Sequence, residues 1–292
     1  MCRMNNSKLA IGSANFGLNY GLSNSAGRLN AAEVYKILEY AQQSKIQYLD
    51  TAHAYGNAHH ILSEFVEIEK FDVITKYTSE QILGQRQNLQ ELINEIPGRS
   101  RSILIHDRHS ERDEVKFMKA LEILNFSQQA GQIKKFGMSI YSLEELDFAL
   151  NRIDIGLLQI PLNVFDQRFV DTTIVERLTN RKIEVHARSC FLQGLLTQNA
   201  DQRNVYFDHW NALFKSWDEY TKLSGKSSLF CALKFVLSQS WISKIVVGVD
   251  TLDQLIELRN IEQEKYIIEE NKIKKFFSAD EGLILPMNWK LQ

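Results

Sequence analysis

The chain alternates short apolar runs with longer segments in which apolar residues recur at helical spacing. Apolar runs of about four to eight residues are typical of buried strands, and a repeat of three to four residues is typical of helices packed on a core. Ala31 to Ser44 shows the second pattern, because Val34, Ile37 and Leu38 fall on one face and Asn30 can cap the first turn. The pattern predicts an α/β protein.

Eight strands are predicted, at Lys8–Ala14, Ile46–Leu49, Phe71–Thr75, Ser102–Ile105, Ile133–Met138, Ile155–Ile160, Ile183–Ala187 and Ile242–Val247. Helical segments separate them, among them Ser79–Ile96 and about Tyr206–Leu223, so the alternation predicts a (β/α)8 TIM barrel. An open, doubly wound sheet is the alternative, but the turn from Gly12 to Gly17 lacks the G-x-G-x-x-G spacing of a dinucleotide-binding turn. We expect a single domain over residues 1–292, with the barrel at about 8–260 and a C-terminal extension at about 261–292.

Charge and cysteine content narrow the class of protein. The net charge of −2 provides no field that would attract nucleic acid or an anionic membrane. The three cysteines are odd in number and lack metal-like spacing, which favours a reducing compartment. Residues Met1 to Lys8 lack an apolar signal core, and no apolar run reaches the length of about 18 residues that spans a membrane. We therefore expect a cytoplasmic protein, and the sequence leaves its oligomeric state open.

The ends of the predicted strands carry a chemically coherent set of side chains. In a TIM barrel the active site lies at the carboxyl ends of the strands. Those ends read, in order, Asp50, Lys76, His106, Ser139, Gln159, Ser189 and Gly248. A carboxylate, an ammonium and an imidazole would therefore meet at one mouth, and the phenol of Tyr55 follows Asp50 in the same loop.

These four groups suit proton donation to an oxygen that gains negative charge. A phenol has an ordinary pKa of about 10, and we expect the Lys76 ammonium to lower the pKa of Tyr55 by favouring the phenolate. Asp50 can keep that ammonium charged, and His106 can orient a substrate oxygen by a hydrogen bond. A carbonyl oxygen gains charge in this way when a hydride attacks its carbon. No residues have the spacing of zinc ligands, so no metal is predicted.

The segments that carry these four residues resemble a known family, the aldo/keto reductases. Leu49–Gly56 resembles the aspartate-and-tyrosine signature of that family, Ile74–Lys76 its lysine strand and Ile105–Asp107 its histidine strand. The resemblance implies an NAD(P)H-dependent enzyme that reduces a small-molecule aldehyde or ketone. It also implies a catalytic tetrad of Tyr55 as the proton donor with Asp50, Lys76 and His106.

The resemblance extends to a cofactor site. Ser139 and Gln159 resemble residues that hold the nicotinamide carboxamide, the segment from Ala187 to Leu196 resembles a loop along the pyrophosphate, and Ile245–Gly248 with the next helix resembles an adenosine-phosphate site. The cofactor-binding residues implied are Gly12, Ser13, Asp50, Ser139, Gln159, Arg188, Ser189, Gln193, Gly194, Leu195, Gly248, Asp250, Thr251 and Gln254.

Three positions depart from the family pattern. Ile140 follows Ser139 where an asparagine is common, and Arg188 stands where an aromatic ring commonly stacks on the nicotinamide. A guanidinium can stack on a flat ring, but it would meet like charge on an oxidised nicotinamide and so should favour the reduced cofactor. Asp250 would repel a 2′-phosphate and could accept from a ribose hydroxyl. Arg259, the candidate cation for that phosphate, lies late on the following helix. We expect NADP(H) with a weakened preference, and NAD(H) as the alternative.

Two other readings remain open. The same fold could serve as a non-catalytic, nucleotide-binding regulatory or scaffold subunit, or the enzyme could act physiologically in the oxidative direction. Substrate choice in this fold depends on loops, which here are Asn19–Arg28, Asp107–Glu114, Asn163–Val170 and the C-terminal extension. The first and third mix polar and aromatic residues, which would suit a sugar-like carbonyl compound.

Overall fold

Eight parallel strands close into a barrel in a computed structural model that describes residues 6–22, 24, 27–84, 89–107, 113–152 and 154–291. Each strand pairs with the next, and the last pairs with the first. The (β/α)8 prediction is therefore confirmed. The strands are β1 (Leu9–Gly12), β2 (Tyr48–Asp50), β3 (Asp72–Tyr77), β4 (Ser100–Ile105), β5 (Lys135–Ser139), β6 (Leu157–Pro161), β7 (Glu184–Arg188) and β8 (Lys244–Val247).

Helices pack around the barrel and bury their apolar faces against the outside of the strands. Side chains cap several of them: Asn30 accepts from the amide of Glu33, and Ser227 from the amide of Phe230. The α-helices are α1 (Ala14–Gly17), α2 (Ala31–Gln43), α3 (Ala58–Ser63), α4 (Ser79–Gly84), α5 (Leu89–Asn94), α6 (Glu114–Gln129), α7 (Leu143–Arg152), α8 (Thr172–Asn180), α9 (Asn211–Ser224), α10 (Ser228–Ser238), α11 (Leu252–Gln263), α12 (Glu270–Lys274) and α13 (Glu281–Ile284).

Two predicted helices differ in the structure. The helix expected from Ser79 to Ile96 is described as α4 and α5, with residues 85–88 outside the described part of the chain. The helix expected from Tyr206 to Leu223 begins instead as a 3₁₀ segment, Val205–Trp210, before α9. The asparagine before that segment caps it, because the Asn204 side chain accepts from the amide of Tyr206.

The inside of the barrel carries an apolar layer directly beneath a polar one. Ile74, Leu104 and Leu157 form a separate buried cluster, with Tyr48 packed against it. Side chains two residues apart on a strand face the same way. Two positions after each of these four residues stands a polar one: Asp50, Lys76, His106 and Gln159. The strand period therefore places four polar side chains in one layer at the carboxyl ends of β2, β3, β4 and β6.

The C-terminal extension packs on the outside of the barrel through α12, α13 and a short 3₁₀ segment, Pro286–Asn288. The Trp289 ring meets Phe207 edge to face at a centroid distance of 5.1 Å, and its indole nitrogen donates to the Leu283 carbonyl at 3.0 Å. This extension therefore stabilises the segment before α9. Among the described helices, none has the length and apolar composition needed to cross a bilayer.

Candidate active site

A buried ion pair lies at the centre of the polar layer. Lys76 Nζ donates to Asp50 Oδ2 at 2.6 Å and to the Thr51 carbonyl at 3.0 Å. Gln159 Nε2 donates to the other Asp50 oxygen at 2.6 Å. The Lys76 and Asp50 side chains are 1% and 4% exposed, so each charge depends on the other for compensation. Three strands thus fix one carboxylate and one ammonium in a single arrangement.

Tyr55 lies in the loop after β2, and α1 holds that loop through close backbone contact. A Cβ atom at Gly17 would lie 1.7 Å from the Tyr55 carbonyl oxygen, and one at Gly56 would lie 2.6 Å from the Gly17 carbonyl oxygen. Gly56 also has a positive φ of 56°, which favours glycine. The result is that Lys76 Nζ lies 5.3 Å from the centre of the Tyr55 ring.

The expected effect of Lys76 on Tyr55 is wrong in direction. Burial raises the pKa of Tyr55 well above its ordinary value, and the charges of Asp50 and Tyr141 raise it further, while Arg188 lowers it. Burial is the main physical reason for the raised pKa. Asp50 adds to it, because it is paired with the ammonium that would otherwise favour the phenolate. Tyr55 is therefore a neutral phenol at physiological pH. A neutral phenol can donate a proton, and it cannot act as a base without first losing one.

His106 follows β4 and makes a contact that the sequence did not predict. Its Nε2 atom forms a hydrogen bond with the Tyr141 hydroxyl at 3.0 Å, and the two rings are nearly parallel at 13°. The Arg188 guanidinium lies 4.1 Å above the Tyr141 ring, and its Nη2 atom donates to the Ile140 carbonyl at 3.0 Å. Arg188 also donates to Ser189 Oγ at 3.3 Å. Ile140 is fully buried, so the residue that reaches the mouth after Ser139 is Tyr141.

A cavity of about 480 Å³ opens at this mouth and joins the tetrad to the end of β8. The predicted residues that line it are Gly12, Asp50, Tyr55, Lys76, His106, Gln159, Arg188, Ser189, Gln193, Gly194, Gly248, Asp250 and Gln254. Four predicted cofactor residues do not line it: Ser13 and Ser139 are buried beside it, Leu195 belongs to the core, and the Thr251 side chain caps α11. Across the described ranges, no three His, Cys, Asp or Glu side chains are arranged to hold a metal.

Two buried polar atoms, one on the cavity-lining Gln159 and one on the adjacent Ser139, fit the amide group of a nicotinamide. Ser139 and Gln159 are paired in register on β5 and β6. Ser139 Oγ and Gln159 Oε1 are both buried with no hydrogen-bond partner among the described residues, an arrangement that a bound polar group would relieve. A carboxamide supplies one acceptor and two donors, so it could satisfy the serine hydroxyl and the glutamine oxygen together.

The loop after β7 has an unusual backbone. Ser189, Leu192 and Gln193 have φ values of 59°, 48° and 55°, and Gly194 has a φ of 93°. Such left-handed non-glycine residues are uncommon and cluster at functional sites. The loop after β1 reaches this segment, since Leu22 N donates to the Gln193 carbonyl at 3.0 Å. Two loops therefore meet across one wall of the cavity.

Comparison of the sequence with models of protein families gives a match. The model of the aldo/keto reductase family matches residues 8–275. This chain belongs to the aldo/keto reductase family. Comparison with curated proteins gives no match. Family membership supports an oxidoreductase that acts on small-molecule carbonyl compounds.

Solved aldo-keto reductases have the same fold as this chain. The glycerol dehydrogenase AKR11B4 from Gluconobacter oxydans superposes with a TM-score of 0.71 at 19% identity, over 96% of this chain and 93% of that one. The aldo-keto reductase AKR11C1 from Bacillus halodurans, in its holo form, gives 0.70 at 16% identity, over 97% and 95% of the two chains. At such low identity the likeness extends to the fold alone.

The end of the cavity near β8 is acidic in this aldo/keto reductase. Asp250 accepts from Asn15 Nδ2 at 2.7 Å, and Glu257 on α11 also lines the cavity. Arg259, which the sequence left as a distant candidate cation, is buried and pairs with Glu262. Among the described lining residues the cations are Lys76 and Arg188, both at the tetrad end.

Sequence reasoning missed Tyr141 and Glu257 as lining residues and Gly17 as the support of Tyr55. Tyr20, which also lines the cavity, belongs to the predicted substrate loop Asn19–Arg28. The motif order around Ser139 could have indicated Tyr141; the contact of Gly17 with Tyr55 has no local signal. Among the substrate loops, Asn163–Val170 does not line the cavity, because it packs beneath the β7 loop and the C-terminal extension. Part of Asp107–Glu114, residues 108–112, lies outside the described residues.

Proposed function

We propose that this protein is an NAD(P)H-dependent carbonyl reductase in which Tyr55 gives a proton to the carbonyl oxygen of an aldehyde or ketone. The observation that carries the proposal is the buried pair of Lys76 and Asp50, joined by Gln159, in the same cavity as Tyr55 and His106. An ion pair that is almost fully buried is difficult to explain as a stabilising feature alone, because desolvation opposes it. Its position at the barrel mouth supports a catalytic role.

Each residue of the site has a separate role in the proposed carbonyl reduction. When bound, the cofactor would supply a hydride to the carbonyl carbon. Tyr55 holds the proton that the oxygen needs as it gains charge, and the raised pKa of Tyr55 keeps that proton in place until then. Lys76 offers positive charge near the Tyr55 ring, and Asp50 with Gln159 fixes the ammonium. The orphaned atoms of Ser139 and Gln159 would orient the carboxamide of the cofactor.

We propose that the cofactor preference is weak for NADP(H) and is shifted toward NAD(H). If the reactive ring lies beside the tetrad, the adenosine lies at the other end of the cavity, near Asp250 and Glu257. Carboxylates there repel a 2′-phosphate and can accept from ribose hydroxyls. Arg259, the candidate cation for a 2′-phosphate, is paired with Glu262. These contacts support a site that accepts NADH at least as well as NADPH.

We propose a polar, sugar-like carbonyl substrate. The mouth offers the phenol groups of Tyr20 and Tyr141 and the guanidinium of Arg188. Hydroxyl and guanidinium groups are suited to hydrogen bonding with the hydroxyls of a small polyhydroxylated aldehyde or ketone. One solved neighbour carries the name glycerol dehydrogenase, so a three-carbon aldehyde is a reasonable first member of a substrate panel.

The test follows NADH and NADPH oxidation with a panel of glyceraldehyde, longer sugar aldehydes, keto-sugars and apolar aldehydes. Turnover with polar carbonyl compounds, at comparable kcat/KM for the two cofactors, is expected. Binding is measured separately with ADP-ribose and 2′-phospho-ADP-ribose, which differ only in the phosphate. Firm binding of ADP-ribose without turnover of any carbonyl compound would favour the regulatory or scaffold role. A thousandfold preference for the phosphorylated form would refute the proposed cofactor preference.

A further inference from the structure

We propose that the Tyr141 hydroxyl, held by His106, donates a second hydrogen bond to the substrate carbonyl oxygen beside Tyr55. This inference rests on the reductase function proposed above. It changes the role that the sequence assigned to His106, which was expected to meet the substrate oxygen directly. In the structure the His106 imidazole is hydrogen-bonded to Tyr141, and we assign the contact with the substrate oxygen to Tyr141.

The imidazole of His106 is already engaged at one ring nitrogen. His106 Nε2 is engaged by the Tyr141 hydroxyl at 3.0 Å. In a neutral imidazole one ring nitrogen donates and the other accepts. When Nε2 carries the proton, it donates a hydrogen bond to Tyr141 Oη. The phenol proton of Tyr141 can then point toward another acceptor. Tyr141 lines the cavity together with Tyr55 and His106, so a substrate oxygen in that cavity is a suitable acceptor.

Tyr141 is held at its ring face and at its hydroxyl. The Arg188 guanidinium lies 4.1 Å above the centre of the Tyr141 ring. Arg188 also donates to the Ile140 carbonyl at 3.0 Å, which anchors it to the residue just before Tyr141. A cation over an aromatic face is attractive, and the hydrogen bond to His106 fixes the hydroxyl end. A donor fixed in advance is what stabilises charge on a carbonyl oxygen.

Tyr141 and Tyr55 both line the cavity beside His106. Tyr141 is one of the groups whose charge raises the pKa of Tyr55, and it acts on Tyr20 in the same direction. The phenols of Tyr141 and Tyr55 therefore interact within one cavity. Two phenol donors and one oxygen form a simple oxyanion site, in which Tyr55 transfers its proton and Tyr141 keeps its own.

The test is a double-mutant cycle on kcat/KM for a carbonyl compound that the wild type reduces. Tyr141→Phe removes the hydroxyl and keeps the ring beneath Arg188, and we expect kcat/KM to fall by about 10²-fold, the usual effect of losing one oxyanion donor. The double variant with His106→Ala should be no more than about twofold worse than Tyr141→Phe, because the two residues act in series. Losses that multiply would show that His106 meets the substrate independently, and wild-type kcat/KM in Tyr141→Phe would overturn the proposal.

Two further measurements separate this inference from a folding defect and from the proposed function. Tyr220→Phe is the matched control, because it also removes a phenol hydroxyl, from a ring packed between Trp217 and Phe276 outside the cavity. It should keep wild-type kcat/KM. Nitrogen-15 spectra of His106 in the wild type should show Nε2 protonated; a proton confined to Nδ1 would contradict the inference without reference to activity. Failure of the wild type to reduce any carbonyl compound would instead refute the proposed function.

Discussion

The carbonyl oxygen of Tyr55 occupies the space that a side chain on Gly17 would need. An added Cβ would lie 1.7 Å from that oxygen and 2.8 Å from the Ala58 amide nitrogen. Neither atom belongs to a flexible side chain, so the backbone itself would have to move. Because Gly17 has no side chain, the Tyr55 backbone can pack directly against α1, and this contact sets the position of the phenol that we propose as the acid.

Gly17→Ala should consequently displace the Tyr55 loop. We expect kcat to fall by at least about tenfold, since misplacement of a reacting group by about 1 Å can lower rates by about 10²-fold, and the free energy of unfolding to fall by about 1–3 kcal/mol from overpacking. Steady-state kinetics and urea unfolding measure the two effects. Gly156→Ala is the control, because its Cβ would make only ordinary contact, at 3.7 Å, with the Lys135 side chain. Equal kcat in the two variants would contradict the positional role of Gly17.

Lys76→Met should destabilise the protein more than the double variant Lys76→Met with Asp50→Asn. The single change leaves the Asp50 carboxylate buried without its cation, at a cost of about 3–5 kcal/mol, whereas the double change removes both charges. Urea unfolding of the two variants gives the comparison, and both should lose turnover. A double variant less stable than Lys76→Met would show that the ion pair does not carry the charge balance described here.

The rates of the two reaction directions should depend differently on pH. Because the pKa of Tyr55 is raised above its ordinary value, the phenol stays protonated through neutral and mildly alkaline pH. The kcat of carbonyl reduction should therefore be flat between about pH 6 and 9, while alcohol oxidation, which requires the phenolate, should rise by roughly tenfold per pH unit. Initial rates in both directions measure this. A fall in reduction with an apparent pKa near 7 would mean that Lys76 does lower the pKa of Tyr55.

His59 should make the protein less stable at acid pH. Burial and the charges of His53 and Lys76 lower the pKa of His59 to about 4, from an ordinary value of 6.5, and its Nε2 atom is bonded to Thr75 Oγ1 at 2.9 Å. The unfolded chain binds this proton as pH falls through 6.5, so stability decreases from there toward about pH 4, by about 3 kcal/mol at most.

His59→Gln should flatten that part of the stability curve, because an amide can bond to Thr75 and does not titrate. Urea unfolding at several pH values gives the slope. The exposed neighbour His60, paired with Glu64 at 3.4 Å, offers His60→Gln as a control that should keep the wild-type slope. A wild-type slope in His59→Gln would show that another group titrates in this window.

Local sequence patterns predicted the barrel and its polar layer because strand period and hydrophobic runs act over a few residues. Asp50 and Lys76 could be expected together since each stands two positions after an interior residue of its own strand. What the sequence could not indicate depends on contacts between distant segments. The Gly17 contact joins α1 to the β2 loop, and the contact of Tyr141 with His106 joins two strand ends across the mouth.

Electrostatics was the hardest part to predict from the sequence. The presence of Lys76 near Tyr55 suggested a lowered pKa for the phenol, but burial of Tyr55 raises that pKa, and the Asp50 carboxylate paired with the same ammonium raises it further. In the same way, Arg259 was a candidate cation for a 2′-phosphate until the structure paired it with Glu262. The charged residues of a sequence do not by themselves give the electrostatic field at a site, because each ion pair in the structure neutralises charges that would otherwise act there.

The most direct measurement replaces Tyr55 by Phe and compares turnover with cofactor binding. The variant keeps the ring beside Lys76 and loses the proton. We expect carbonyl reduction to fall by at least about 10²-fold, while the affinity for NADH stays within about twofold of the wild type. Equal reduction rates for the two proteins would contradict the role of Tyr55 and, with it, the proposed function.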